Sequence, residues 1–296
     1  MKRRDFLALS AAALALPRTG FAATELGLGQ GKLITLSDGN LTLPGDFVLA
    51  QMDPALAAAM RQKYNLDANS YTPPCNVTLY QDGTRNVLFD VGAGPDFMPS
   101  AGKLDEALAA AGITHDDITH VVFTHAHPDH LWGLLDDFDE PQFANAEYFI
   151  GQSEFDYWTD PDTVNTIGAA RTTFAAGAAR RLDILAEQLQ FFTDGAEPVP
   201  GVTARLSPGH TPGHMSFIVG GKALITGDAI SNNFVAFEQP GFATPSDQDP
   251  AMAATTRIAL LDQITADNLQ IVGFHLPGGG IGTVTRQGDS YSYVEG

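Results

Sequence analysis

Short β-branched runs closed by turn residues alternate along the chain with longer stretches rich in alanine and leucine. Asn76–Tyr80 and Asn86–Val91 flank Gln81-Asp82-Gly83-Thr84, and an Asp-Gly pair between two β-prone runs predicts a hairpin. Leu104–Ala111 is alanine-rich and stops at Gly112, the pattern of a helix with a glycine at its C-terminal end. Ile118–Thr124 is apolar and β-branched, which predicts a buried strand. Asp162–Gln190 reads as helical, with Gly168 and Gly177 as weak points. Val202–Leu206, Met215–Val219 and Ala223–Thr226 read as strands separated by glycine turns; Pro250–Asn268 reads as a helix and Gln270–Phe274 as another strand. Hairpins combined with strand–helix alternation predict a layered α/β fold with mixed sheets. No repeat, low-complexity tract or linker interrupts residues 23–296, so one domain is expected there.

Residues 1–22 follow another pattern. Met-Lys-Arg-Arg-Asp-Phe-Leu leads into an apolar run, Leu7–Leu16, and then to the small residues around Gly20-Phe21-Ala22. A basic start, a short apolar run and a small-residue cut site predict an export signal cleaved near Ala22. The run is too short for the roughly 20 residues of a spanning helix, so no stable membrane anchor is expected. Arg3-Arg4 before Asp5, Phe6 and Leu7 resembles the twin-arginine signal, which carries folded proteins. The resemblance implies the twin-arginine export machinery as a partner and a periplasmic or secreted location.

Charge narrows the function. Lys plus Arg number 16 against 35 Asp plus Glu, a net charge of −19, and such a chain repels nucleic-acid backbones and anionic lipid. A small-molecule substrate is expected instead, and both monomer and homodimer are compatible with the sequence. Cys75 is the one cysteine, which excludes an internal disulfide, a cysteine zinc ribbon and a Cys-x-x-Cys redox pair. It follows Pro73-Pro74 and reads as structural.

The candidate chemistry sits where strands stop. Directly after Thr124 comes His125-Ala126-His127-Pro128-Asp129-His130, four metal-competent side chains in six residues. Residues two apart on extended chain share a face, so His125 and His127 reach one ion together. Pro128 bends the chain and turns Asp129 and His130 toward a second point. Imidazole and carboxylate donors suit zinc, iron or manganese. His210, in Pro208-Gly209-His210-Thr211-Pro212-Gly213-His214, follows another strand, while Asp228 and His275 each end one.

His-x-His-x-Asp-His, Gly-His-Thr-Pro-Gly-His, Thr-Gly-Asp and a late His, in that order, resemble the metallo-β-lactamase fold superfamily from about Asn76 to the end. The resemblance implies a four-layer αβ/βα sandwich with the metal site between two mixed sheets. It implies one ion on His125, His127 and His210, a second on Asp129, His130 and His275, and Asp228 bridging both. His214 and Asp90 are implied to hold ligands in place rather than bind metal, Asp90 by orienting a ligand imidazole. His115 and His120 have no counterpart in the pattern.

Two divalent ions about 3.5–4 Å apart share a water as hydroxide near neutral pH. This predicts a dinuclear hydrolase, zinc first and iron or manganese as alternatives, with Asp129 as the catalytic proton relay. Gly273-Phe274-His275-Leu276-Pro277-Gly278, the closing aromatic strand Tyr291–Val294 and Ser153-Glu154-Phe155-Asp156-Tyr157-Trp158 resemble the branch containing methyl parathion hydrolase and related lactonases. That likeness implies an ester, lactone or phosphotriester substrate, with Trp132 and Trp158 lining its pocket. Two rival readings are a mononuclear iron persulfide dioxygenase and a non-catalytic periplasmic accessory protein of a redox or sulfur pathway.

Overall fold

The structure, a computed structural model, describes residues 23–296; the export-signal reading falls on residues 1–22, outside that range. β1 (Thr24–Gly29) and β2 (Gly31–Asn40) open the chain. An excursion follows, carrying β3 (Leu43–Pro44), a helix at Pro54–Tyr64 and β4 (Ser70–Tyr71). Then come β5 (Pro74–Gln81), β6 (Asn86–Phe89), β7 (His120–Val122), β8 (Glu147–Gly151) and β9 (Leu189–Phe192). They form a 7-stranded sheet in the order β1-β2-β5-β6-β7-β8-β9, antiparallel up to β6 and parallel from β6 to β9. The 6-stranded second sheet runs in chain order through β10 (Val202–Leu206), β11 (Met215–Val219), β12 (Ala223–Ile225), β13 (Gln270–Val272), β14 (Ile281–Gln287) and β15 (Ser290–Glu295), with one parallel pair, β12 and β13.

Towards the middle of each sheet both faces are covered, and β6, β7, β8, β11, β12 and β13 are accordingly buried, mostly apolar runs rather than alternating ones. Successive side chains point to opposite faces. Val87, Phe89, Val122 and Phe149 meet Ala204, Phe217, Ile225 and Val272 between the sheets. Leu88, Val121 and Ile150 face the other way, onto Leu108, Ala178 and Leu182 of helices Leu104–Ala111 and Thr172–Leu185. Leu224 and Ile271 of the second sheet pack on Leu260, Leu261 and Ile264 of helix Pro250–Ala266. The result is the αβ/βα sandwich. Among the described residues no helix is long and apolar enough to cross a membrane.

Helix Leu104–Ala111 ends at Gly112 in the left-handed conformation, φ 74°. The hairpin turns on Asp82, whose carboxylate accepts the Thr84 and Arg85 N–H groups. Asp162–Gln190, by contrast, is not one helical stretch. It breaks at Gly168, φ 96°, resumes over Thr172–Leu185, and Leu189–Gln190 belong to β9. Pairing with β8 overrides a helical tone that composition alone sustains.

Asp38, fully buried at the end of β2, ties the first sheet to the loops behind it. Its carboxylate accepts the Ala93 and Leu104 N–H groups at 2.8 Å and that of Gly102 at 3.3 Å. Burial pushes its pKa up to about 6 against these bonds. Asp38→Ala strands those donors and is expected to cost about 2–4 kcal/mol of stability. Because the folded pKa lies above the unfolded one, the Asp38 contribution is full below about pH 4 and falls as pH rises through 6. Urea unfolding of metal-free protein therefore shows a larger wild-type advantage over Asp38→Ala at pH 4.5 than at pH 7.

Candidate metal centre

Strand ends at one edge of the sandwich deliver the site. β7 runs into Phe123 and Thr124, then His125 and His127, before Pro128 opens a helical turn, Pro128–Leu131, that carries Asp129 and His130. His210 follows β10, Asp228 follows β12 and His275 follows β13. At Gly227, φ 48°, an added Cβ would lie 2.6 Å from His214 Nε2. Only glycine lets the chain turn there with Asp228 against that ring.

Two groups of side chains converge. His125, His127 and His210 form one; Asp129, His130, Asp228 and His275 form the other, with ligand atoms in each lying within 4.8 Å of one another. In the first, His127 Nδ1 lies 3.1 Å from His125 Nε2 and 2.9 Å from His210 Nε2. In the second, Asp129 Oδ2 lies 3.2 Å from His275 Nε2 and 3.6 Å from His130 Nε2. Asp228 reaches both. Its Oδ1 is 3.3 Å from His130 Nε2, and its Oδ2 is 3.3 Å from both His275 Nε2 and His210 Nε2.

Hydrogen bonds set which nitrogen each ring presents. His275 Nδ1 donates to the Pro74 carbonyl at 2.7 Å, leaving the Nε2 lone pair for the centre. His130 Nδ1 donates to Asp90 Oδ2 at 2.8 Å. His125 Nδ1 donates to Thr124 Oγ1 at 3.0 Å, and that hydroxyl donates to Asp90 Oδ2 at 2.7 Å. Asp90, in the left-handed region at φ 64°, thus orients one imidazole of each group. His214 does not face the centre; its Nε2 accepts the Asp228 N–H at 3.0 Å while Nδ1 bonds Ser207.

Charge follows from this geometry. Burial and the neighbouring imidazoles hold His125 and His127 well below the usual histidine range, so both are neutral donors. Burial opposes charge on His130, yet Asp129, Asp228 and Asp90 push it up to about 10. His275, equally buried, is raised by Asp228 and Asp129. The carboxylates create a demand for positive charge that a proton or a divalent cation fills. Among the described residues, Asp129 Oδ2, His130 Nε2 and Asp228 Oδ1 are buried polar atoms without a hydrogen-bond partner, although buried polar groups ordinarily have one. Neutral imidazoles, paired carboxylates and unpartnered atoms aimed at a common point fit a divalent ion of the zinc, iron or manganese kind.

The roles of two supporting residues, Asp247 and Glu154, do not show in the sequence. Asp247 accepts from His210 Nδ1 at 3.1 Å and from the buried Arg257 at 2.9 Å. Glu154, also buried, accepts the Ala126 N–H and the Trp158 indole with one oxygen, and the Thr211 hydroxyl and Gly213 N–H with the other. It fastens the His125–His127 segment to the His210 turn. Glu154 lies inside a segment noticed for its aromatic residues, and a carboxylate among them was the available signal. Asp247 carries no local signal at all.

A cavity of about 550 Å³ opens over the centre. His127, Asp129, His210, Asp228 and His275 form its floor. The excursion between β2 and β5 supplies one wall, and Phe97, Met98, Ile167 and Phe174 supply another. Trp132 and Trp158, expected to line it, do not. Trp158 is buried with its indole bonded to Glu154. Trp132 sits against Gly177, where an added Cβ would lie 2.3 Å from the ring, with the Arg181 guanidinium 4.2 Å above it. Both are structural aromatics behind the site. His115 pairs with Asp105 on the surface and His120 stacks on Phe149, away from the centre.

A family model described as the metallo-beta-lactamase superfamily matches residues 71–267, and the chain belongs to that superfamily. Among curated relatives, the N-acyl homoserine lactonase AttM of Azorhizobium caulinodans is 32% identical over 127 residues, 40% of this chain and 44% of that protein. The chain thus spans less than half of that lactonase in the match. Metallo-beta-lactamase domain-containing protein 1 of Xenopus laevis is 28% identical over 186 residues, 63% of this chain and 65% of that one. Two solved structures share the fold. AidC, described as a dizinc quorum-quenching lactonase in complex with a product, superposes with TM-score 0.85 at 22% identity over 93% of this chain and 98% of AidC. The hydrolase AbOPH does so with TM-score 0.85 at 23% identity over 94% and 98%.

Asp228 faces both groups and Asp247 only one, so their replacements separate. Asp228→Ala is expected to lose metal from both groups. Asp247→Ala weakens retention at the His125–His127–His210 group alone, about 10- to 100-fold in affinity. Metal titration against a chromogenic chelator measures both; wild-type metal content in Asp228→Ala contradicts the two-sided role.

Proposed function

We propose that the chain is a metal-dependent hydrolase that cleaves the ester bond of a small, largely apolar ester or lactone at a dinuclear centre. His125, His127 and His210 hold one ion, Asp129, His130 and His275 the other, and Asp228 lies between them. The observation that carries this reading is Asp228, whose carboxylate stands 3.3 Å from imidazole nitrogens of both groups. Two divalent ions, zinc first, supply Lewis acidity toward a carbonyl and a water acidic enough to attack it near neutral pH.

The chain's own residues do the rest. Asp129, on the cavity floor, would face the ion with Oδ2 and take the proton of the attacking water on its other oxygen, passing it to the leaving oxygen. Asp90, Thr124 and Asp247 keep the rings from turning. The apolar walls bind the body of the substrate and exclude water; the cavity volume is that of a small-molecule site. A net charge of −19 favours a neutral substrate, and the names of AttM and AidC support a lactone. Cys75 takes no part, because burial pushes its thiol up to about 12 and leaves no thiolate at neutral pH.

Purified, metal-loaded protein is expected to hydrolyse short-chain lactones and aryl esters, and to lose that activity on chelation. Cys75→Ala keeps it, whereas Asp129→Asn lowers kcat by about 100-fold or more with a smaller change in KM. Activity confined to phosphotriesters overturns the ester reading. One iron per chain with oxygen consumption on a persulfide replaces it with the dioxygenase. A metal-loaded protein inert to all these substrates favours an accessory role.

Export through the twin-arginine route is proposed from Arg3-Arg4. Changing both to Lys is expected to leave uncleaved precursor in the cytoplasm, read by fractionation and mass. Export equal to wild type contradicts that route.

A further inference from the structure

Tyr71 closes the short ribbon that holds the β2–β5 excursion over the cavity, paired with Leu43. Its ring meets Phe234 edge-on, centroids 5.7 Å apart at 87°, and Phe234 is itself buried. The ring is thus packed on one side against a buried aromatic. The other residues this excursion lends to the cavity, Leu41, Leu43, Phe47, Val48 and Pro73, are all apolar. On that wall the phenol is the polar group.

Among the described residues its hydroxyl has no hydrogen-bond partner. Tyr148 donates to the Phe143 carbonyl, Tyr157 to Gln248 and Tyr293 to the Pro277 and Ile281 carbonyls. Among the described residues Tyr71 makes no such bond. It lines the same cavity as Asp228 and His275 and lies close enough to feel both charges. The hydroxyl is open to the cavity beside Asp228 and His275, with its donor free for a bound molecule. Burial, opposed by His275 and reinforced by Asp228, pushes the phenol up to about 12, so it stays protonated through the working pH range.

We infer that Tyr71 is a substrate-contacting catalytic residue whose hydroxyl donates a hydrogen bond to the scissile carbonyl oxygen. The inference rests on the ester or lactone reading above. Attack on the carbonyl carbon forms a C–O bond and moves the π pair onto that oxygen; the phenol keeps its proton and bonds the oxygen more strongly as charge develops. A fixed donor on an apolar wall favours the transition state over the neutral ground state. The contribution therefore falls on kcat rather than on KM.

The test is Tyr71→Phe in full-length, metal-loaded protein, since Phe keeps the ring on Phe234. With a lactone or aryl ester that wild type turns over, kcat is expected to fall about 100-fold. KM stays within about threefold, and metal content and melting temperature are unchanged. An unchanged kcat, a loss confined to KM or a loss of metal overturns the inference. Titration with hexanoate reads the same contact without turnover, and the variant is expected to bind it about tenfold more weakly. Should wild type hydrolyse no ester or lactone, the proposed function fails and hexanoate alone decides Tyr71: equal affinity overturns the contact, tenfold weaker binding supports it.

Discussion

Asp129 and Asp228 are buried carboxylates that share a neighbour in His275, and two like charges out of water demand cations between and around them. The other buried acids at this end of the fold are treated differently. Asp90 accepts three hydrogen bonds, Glu154 four, and Asp247 bonds His210, Arg257 and Thr244. Those acids are saturated by donors and spend their charge on holding loops and rings. Asp129 and Asp228 each keep an oxygen without a partner. The contrast between saturated and open carboxylates separates the framework from the reactive centre.

The fold makes that contrast possible. Parallel neighbours end side by side, so Asp90 after β6 meets Thr124 and His130 after β7, and Asp228 after β12 stands beside His275 after β13. Residues separated by 150 positions, His125 and His275 among them, come to one edge because the two sheets share a core of Phe89, Phe217, Val122 and Val272. The outer helices cover the remaining faces. The excursion between β2 and β5 then roofs the edge with apolar side chains and one phenol. The inferred substrate contact thus lies on a segment that contributes little to either sheet.

Most strands carrying the centre were legible because β7, β12 and β13 are short apolar runs stopped by Gly or a polar residue, and His125 to His130 announced itself by density. The sandwich followed from the same pattern. Leu189–Gln190 was not legible as strand, since β9 owes its state to pairing with β8 rather than to composition. Asp247 was invisible for a related reason: its meaning lies in His210 and Arg257, distant in sequence. Trp132 and Trp158 misled because an aromatic beside a metal motif looks the same in sequence whether it faces the cavity or the core. The notch at Gly177 and the carboxylate of Glu154 turn them inward. Tyr71 lay in a stretch whose pattern announced no function.

The proposed dinuclear centre turns on one carboxylate, Asp228, serving two ions. Anomalous diffraction from crystals grown with zinc tests it most directly. Two peaks about 3.5–4 Å apart are expected, both against Asp228. A single peak, or two with Asp228 on only one of them, contradicts it.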